Sequence, residues 1–284
     1  QGSLDSSPTS AIMRGHKKYF DQIEELTDEK FEEEMENVQN FKNSLSNIDL
    51  NSLSDKEKVT YGMLEFALDS NYDSLVDRGW EFSAGVAGFE GFLIDFNQQM
   101  FIPDKESGDM LLKRLELYEK FYSQISDVQK RGLENNRVAT QRNLKRSIDQ
   151  LESYLKTSPD SDPLLLVNFA PTVDKKEISE WKEKAKKVVE KYVRPNVLSY
   201  LEQLQVEHLP KGRTDENPGI MWIEGGEEVY LRSLRKYTGH KETTVKEVHE
   251  IGLSEIERLK KEFFEIGKDV FDGVNSPDQC DELQ

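Results

Sequence analysis

Two helix-starting motifs, far apart in the chain, place the strongest constraint on its fold. Ser54-Asp55-Lys56-Glu57 is a capping box, in which the serine hydroxyl can accept one free backbone N–H and the glutamate can accept another. Thr244-Val245-Lys246-Glu247 has the same chemistry. Apolar residues at helical spacing follow both motifs, whereas Val, Ile and Thr do not gather into the alternating runs that form strands. The sequence therefore predicts an all-α fold.

The composition supports a helical domain with a substantial core. The chain has 284 residues, of which 36% are hydrophobic and 33% are charged. A chain of this length hides most of its surface on folding, and its abundant glutamate, lysine and leucine are strong helix formers. We predict one multi-helix, bundle-like domain over residues 1–284, with flexible ends at 1–10 and 273–284.

The formal net charge of −17 argues against two classes of partner. An acidic surface repels the phosphates of nucleic acids and of anionic membranes. No apolar run approaches the roughly 18 residues of a spanning helix, and no signal-peptide pattern opens the chain. We therefore expect a soluble protein that binds neither nucleic acid nor membrane. Its one cysteine, Cys280, cannot form an internal disulfide, and the compartment, secreted or cytoplasmic, stays open.

Residues 79–103 interrupt the helical pattern. Glycines alternate there with aromatic residues, among them Trp80, Phe89 and Phe92. Glycine permits sharp turns, whereas large rings need burial. The segment is therefore either a packed irregular loop or the wall of a ligand cleft. On the second interpretation, these three rings contact the ligand.

Apolar spacing also predicts the extent of individual helices. Residues 104–130 have the pattern of one continuous helix, and Gly132 is expected to end it. A later helix is expected to kink or restart at Pro195, because proline lacks a backbone N–H. In the first long helix, Phe31 and Phe41 are expected to lie on the same inward face.

No complete catalytic site is visible in the chain. A zinc-peptidase helix places two histidines four residues apart with a glutamate between them, but His249-Glu250 is followed by Leu253 where the second histidine would stand. Glu227 follows Gly225-Gly226 at a predicted helix start, where the helix dipole favours an acid; alternatively, its carboxylate points into a cleft. We predict no catalytic residue, no metal ligand and no cofactor within these 284 residues.

The stretch from His208 onward carries a distinctive succession of motifs. It reads His208-Leu209-Pro210, then Gly225-Gly226-Glu227-Glu228-Val229-Tyr230, Tyr237-Thr238-Gly239-His240 and Glu247-Val248-His249-Glu250-Ile251-Gly252. This succession resembles the middle of the DUF885 family, a group of helical proteins similar to HExxH zinc peptidases. The family's last motif is Glu-x-x-His-x-x-Gly, and the spacing found here departs from it slightly.

The resemblance implies that this chain is the non-catalytic N-terminal helical half of a zinc metallopeptidase whose metal-binding helix lies downstream. Zinc is then expected only when the C-terminal half is present, and that half is itself a partner of this chain. The chain would form a wall of the peptide-substrate cleft. The candidate cleft residues are Trp80, Phe89, Phe92, Glu227, Tyr230 and His240. The alternatives are a stand-alone non-catalytic protein that binds a peptide or small molecule or takes part in signalling, and a purely structural helical bundle.

Overall fold

The computed structural model describes residues 7–83, 100–240 and 242–270, without the side chain of Asp269. Within these residues the chain is mostly helical, so the predicted all-α class is confirmed apart from one pair of very short strands. The chain forms two compact units, Gln1–Gly226 and Glu227–Gln284. Whether they belong to a single domain, as predicted, stays a prediction.

The described part of the first unit is built mainly of α-helices. Its α-helices are α1 Pro8–Met13, α2 Asp28–Ser46, α3 Asp55–Asp77, α4 Lys105–Glu116, α5 Tyr118–Glu134, α6 Gln141–Lys156, α7 Lys175–Val188 and α8 Arg194–Gln203. The strands β1 (Phe101–Ile102) and β2 (Asn168–Phe169) pair in parallel, with Phe101 opposite Asn168. Helix α1 begins inside the segment 1–10 that was predicted to be a flexible end, and Thr9 within it is buried.

Local capping chemistry starts the two helices of the α2–α3 hairpin. The Thr27 side chain accepts the backbone N–H of Lys30 at 3.2 Å. At the start of α3, Ser54 N donates to the Glu57 carboxylate at 2.8 Å while Glu57 N donates to the Ser54 hydroxyl at 3.4 Å. The predicted capping box is therefore confirmed, and it satisfies donors that the first turn would otherwise leave free.

The continuous helix predicted over residues 104–130 is wrong. The helix is interrupted at Leu117, between α4 and α5. The backbone N–H of Leu117 donates to Arg114 O at 3.0 Å. Gly132 does not end α5, which runs on to Glu134. A Cβ atom on Gly132 would lie 2.3 Å from the carbonyl oxygen of Glu81, so this glycine is needed for close packing rather than for a helix end.

The long helical run after residue 174 is widened twice. A π-helical turn, Val189–Val193, separates α7 from α8, and a second one, Leu204–His208, follows α8. Pro195 lies in the first turn of α8, where a missing N–H removes little, so the predicted restart at this proline is confirmed.

The core of the first unit lies among helices α4 to α8. Among its deeply buried apolar and aromatic side chains are Leu111, Leu115, Tyr118, Phe121, Ile125, Leu144, Val193, Val197 and Leu204. The α2–α3 hairpin is only partly covered. Phe31 and Val38 are buried, but Phe41 is 58% exposed, so its predicted inward position is wrong. In α3, Val59 and Met63 are also exposed.

The second unit contains two helices within its described residues, α9 (Gly226–Thr238, beginning at the boundary) and α10 (Val245–Val270). The predicted capping box at Thr244 is confirmed, because Thr244 N donates to the Glu247 carboxylate at 2.8 Å and Glu247 N donates to the Thr244 hydroxyl at 3.2 Å. None of the helices within residues 7–83, 100–240 and 242–270 combines the length and apolarity that a membrane crossing requires.

Candidate functional site

A pair of glycines sets the start of α9. Gly225 has φ of +67°, a conformation that L side chains rarely adopt. Gly226 has an ordinary φ, but a Cβ atom there would lie 1.9 Å from the carbonyl oxygen of Ile220. The two glycines therefore meet different needs, a left-handed turn and a close backbone approach. Together they fix where the first turn of α9 begins.

That first turn presents two of the predicted cleft residues. Glu227 is exposed and Tyr230 is 43% exposed, while Val229 between them is buried. Residues three apart lie on neighbouring positions of a helix surface. The structure therefore brings a carboxylate and a phenol ring together on one exposed patch, which could accept an N–H group and contact an apolar side chain of a ligand.

His240 lies at the opposite end of the same helix. At about 1.5 Å per residue, the helix rise separates Glu227 from Thr238 by about 16 Å. Gly239, with φ of +71°, turns the chain there, and His240 N donates to the Thr238 hydroxyl at 3.2 Å. The structure therefore does not join His240 to Glu227 and Tyr230 in one compact site.

His240 instead lines an open concavity of about 1090 Å³ in the second unit. Glu247, Glu250 and Ile251, from the first turns of α10, line the same space. Among the residues that the structure describes, no group of three or more His, Cys, Asp or Glu side chains is placed to hold a metal ion. His249-Glu250 also lies on α10, where Leu253 occupies the second histidine position, so these donors do not fit a zinc-peptidase site.

Trp80 lies in the first unit and packs against its core. Its ring stacks on Phe31 with 4.0 Å between centroids and 9° between planes. The next residue, Glu81, is anchored, because Arg137 Nε donates to its buried carboxylate at 2.7 Å. Arg78, with φ of +45°, turns the chain out of α3 just before Trp80. This arrangement favours packing over ligand contact for Trp80.

Two predicted cleft residues, Phe89 and Phe92, lie outside the described residues. Their assignment to a cleft wall stays a prediction. The same holds for most of the segment 79–103, of which residues 84–99 are not described.

A buried cation that the sequence interpretation missed holds the N-terminal segment in place. Arg114 on α4 is 0% exposed, and its guanidinium donates to Gln22 O and to the Thr9 hydroxyl. It also lies 3.5 Å from the Glu24 carboxylate, which accepts Thr9 N at 2.9 Å. Burial lowers the pKa of Arg114, and Glu24 opposes that effect. The sequence contains a sign of this buried cation, because Arg114 lies in the same apolar row of α4 as Leu111.

A second buried polar cluster ties α6 to α8. The carboxylate of Asp162, which is fully buried, accepts the Tyr154 hydroxyl at 3.1 Å and Arg194 Nη1 at 2.8 Å. Arg194 also donates to the carbonyl oxygens of Leu155 and Thr157 at the end of α6. Burial, with the negative charge of Asp162 beside it, raises the pKa of Tyr154. The cluster is fully paired, which fits a structural role.

Comparison with known proteins relates the chain to a protein family and to a solved structure. The family described as "Bacterial protein of unknown function (DUF885)" matches residues 8–282. No curated protein matches the chain. A crystal structure of a protein from Colwellia psychrerythraea, described as a putative lipoprotein, is similar with a TM-score of 0.80 at 17% sequence identity. The similarity covers 99% of this chain and 51% of that one, so this chain spans about half the length of that protein. Because the family match extends over nearly the whole sequence, the chain belongs to the DUF885 family.

Proposed function

We propose that this chain is the non-catalytic N-terminal helical half of a larger, zinc-metallopeptidase-like protein, and that it forms one wall of a peptide-substrate cleft. The observation that carries the proposal is a row of exposed apolar side chains along α10. Ile256, Ile266 and Val270 are 52, 61 and 65% exposed. Extended apolar surfaces mark contacts with other polypeptide, because exposing them to water is unfavourable. A second half of the protein would cover this row.

The length of the solved relative supports the same proposal. A protein with this helical arrangement can carry roughly as much polypeptide again, since the match covers 51% of that chain. In the proposal, the zinc ligands and the catalytic acid or base lie in that additional polypeptide. The residues of this chain contribute the scaffold and the peptide-contact surface, and they carry out no step of hydrolysis.

The exposed patch of Glu227 and Tyr230 is the part of the wall that would contact peptide. A phenol ring offers an apolar face and a hydroxyl, and a carboxylate accepts peptide N–H groups or pairs with a basic side chain. His240 would lie farther along the same wall, at the other end of α9. The rise of about 16 Å from Glu227 to Thr238 suits an extended peptide of roughly five residues, at about 3.3 Å per residue.

The test is to purify the native protein from its source and to measure its intact mass, zinc content and cleavage of a peptide library. We expect a mass greater than that of this chain, stoichiometric zinc, and cleavage that a chelator abolishes. The 284-residue chain alone is expected to show no zinc-dependent cleavage. A native mass equal to that of this chain would overturn the proposal in favour of a stand-alone binding or signalling protein, and zinc-dependent cleavage by this chain alone would also overturn it.

The peptide wall is tested by substitutions on α9 in the native-length protein. Tyr230→Ala is expected to raise KM for a peptide substrate about tenfold, which corresponds to a lost contact of about 1.4 kcal/mol. Lys236→Ala, on the same helix but a different side, serves as the control and is expected to leave KM unchanged. Equal effects of the two substitutions would exclude Tyr230 from the wall.

A further inference from the structure

The exposed row on α10 follows a heptad pattern. Its positions are separated alternately by four and three residues along the 26-residue helix. They are Val245, His249, Gly252, Ile256, Leu259, Phe263, Ile266 and Val270. All except His249 and Gly252 are large apolar residues, and those six are between 41 and 65% exposed. We call this row the α10 seam.

A spacing that averages 3.5 residues keeps the α10 seam nearly parallel to the helix axis. Such a seam fits one helix that lies alongside and crosses at about 20°, with side chains of each inserted between those of the other. The seam runs the full length of α10, about 39 Å at 1.5 Å per residue. A loop or a short peptide would cover only part of it, so its shape indicates a long helix as the occupant.

Charges along the two edges of the seam add information about that helix. Glu255 and Glu262 flank one edge, and both are held by Arg258, at 2.7 and 2.5 Å, from the side away from the seam. Lys246 and Lys260 flank the other edge. A partner helix with basic residues beside the glutamates and acidic residues beside the lysines would match both edges.

A second copy of this chain fits the seam poorly. In an antiparallel pair, the edges that carry Glu255 and Glu262 would face each other. In a parallel pair, the glutamate edge of each helix would face the lysine edge of the other, but Gly252 would meet Gly252 and leave a gap, and His249 would meet His249 in an apolar interface. A Cβ atom on Gly252 would meet no atom within 4 Å, so the space above it is open to a large side chain from a different helix.

We propose that the α10 seam pairs with a long amphipathic helix in the remainder of the same, longer polypeptide, which inserts a large apolar side chain over Gly252. The proposal rests on the proposed function, because it requires a second half of the protein. It goes beyond that function by naming the element of this chain that holds the halves together and the chemistry of the partner helix. About half of the solved relative lies outside the matched region, which provides room for such a helix.

Photocrosslinking in the native-length protein tests the partner. Benzoylphenylalanine is placed at Ile256, within the seam, and in a matched control at Lys261, on the opposite side of α10. We expect the Ile256 position to crosslink, within a single polypeptide, to a helical segment beyond residue 284, and we expect the Lys261 position to give little crosslinking. A product of twice the native mass joined between two α10 helices, or equal crosslinking from both positions, would overturn the proposal.

The open space over Gly252 provides a second test, in which the direction of a change in melting temperature is predicted. In an uncovered helix, Gly252→Leu should raise the melting temperature, because leucine is the better helix former. If a partner side chain fills the space, the same change should lower the melting temperature of the native-length protein. Ser254→Leu, on the opposite side of α10, serves as the control and is not expected to lower it. A rise for Gly252→Leu would refute the pairing.

These measurements test the pairing of the α10 seam and the proposed peptidase function independently. A native-length protein that gives the expected crosslink but cleaves no peptide overturns only the proposed function. Cleavage of peptides without the crosslink overturns only the seam. A native mass equal to that of this chain overturns both.

Discussion

Replacing Gly132 by alanine tests whether close packing, rather than helix termination, explains this glycine. Gly132 lies inside α5, so alanine should favour the helix by roughly 1 kcal/mol. The added Cβ atom would lie 2.3 Å from Glu81 O and 2.8 Å from Arg137 O, and both are backbone atoms that cannot rotate away. Overpacking of this kind costs about 1–3 kcal/mol, and a clash this short belongs at the upper end. We expect Gly132→Ala to lower the free energy of unfolding by about 1–2 kcal/mol.

Gly62→Ala is the matched control. Gly62 lies inside α3 in the same unit, and an added Cβ atom there meets no atom within 4 Å. Alanine should therefore raise the free energy of unfolding by up to roughly 1 kcal/mol, since only the helix preference acts. Urea denaturation followed by far-UV circular dichroism measures both variants. If Gly132→Ala is as stable as Gly62→Ala, the close approach of the Glu81 backbone does not restrict this position, and the packing argument is wrong.

Three further predictions concern side chains of the first unit. Trp80→Ala should lower the free energy of unfolding by about 3 kcal/mol in urea denaturation while ligand affinity changes little, because the ring packs on the core; the reverse result would make it a cleft residue. Lys17 donates to Asp104 and holds the pKa of that carboxyl at about 2, below the ~3.9 of an unfolded chain. The stability that Asp104 contributes is therefore complete above about pH 4 and is lost as the pH falls towards 2, so Asp104→Asn should flatten the stability–pH curve there; an unchanged curve would contradict it. Tyr154→Phe leaves the buried Asp162 carboxylate without one donor and should cost about 1–3 kcal/mol by the same denaturation assay, whereas a neutral effect would show that the cluster does not need the hydroxyl.

The parts of the fold that the sequence predicted well depend on local chemistry. The capping boxes at Ser54 and Thr244 involve atoms within one helical turn, so four residues suffice to recognise them. The restart at Pro195 is similarly local, because the proline ring fixes its own backbone angle and removes its own donor. Such features do not depend on where the rest of the chain lies.

The parts that the sequence missed depend on distant residues. Gly132 resembles a helix end, but the carbonyl that requires glycine there belongs to Glu81, about fifty residues earlier in the chain. The break at Leu117 has no glycine or proline to mark it. Phe41 has the spacing of an inward residue, yet α2 and α3 cover each other only partly, so the outer part of that face stays exposed.

In the candidate site, too, the sequence predicted the local features and missed those that depend on distant residues. The Gly225-Gly226 pair correctly indicated a helix start and so placed Glu227 and Tyr230 one turn apart. The sequence could not show that His240 would lie at the far end of that helix. It also could not show that Trp80 would stack on Phe31, because that contact joins α2 to the turn that follows α3.

The buried guanidinium of Arg114 also constrains the order in which the chain can fold during synthesis. Its partners Thr9, Gln22 and Glu24 precede it by 105, 92 and 90 residues. At 5–20 residues per second, the N-terminal segment therefore waits roughly 5–20 s on the ribosome before its binding partner on α4 has been made. Closing the core around an unpaired cation is unfavourable, so the nascent core is expected to stay open to water at this point until the waiting segment docks.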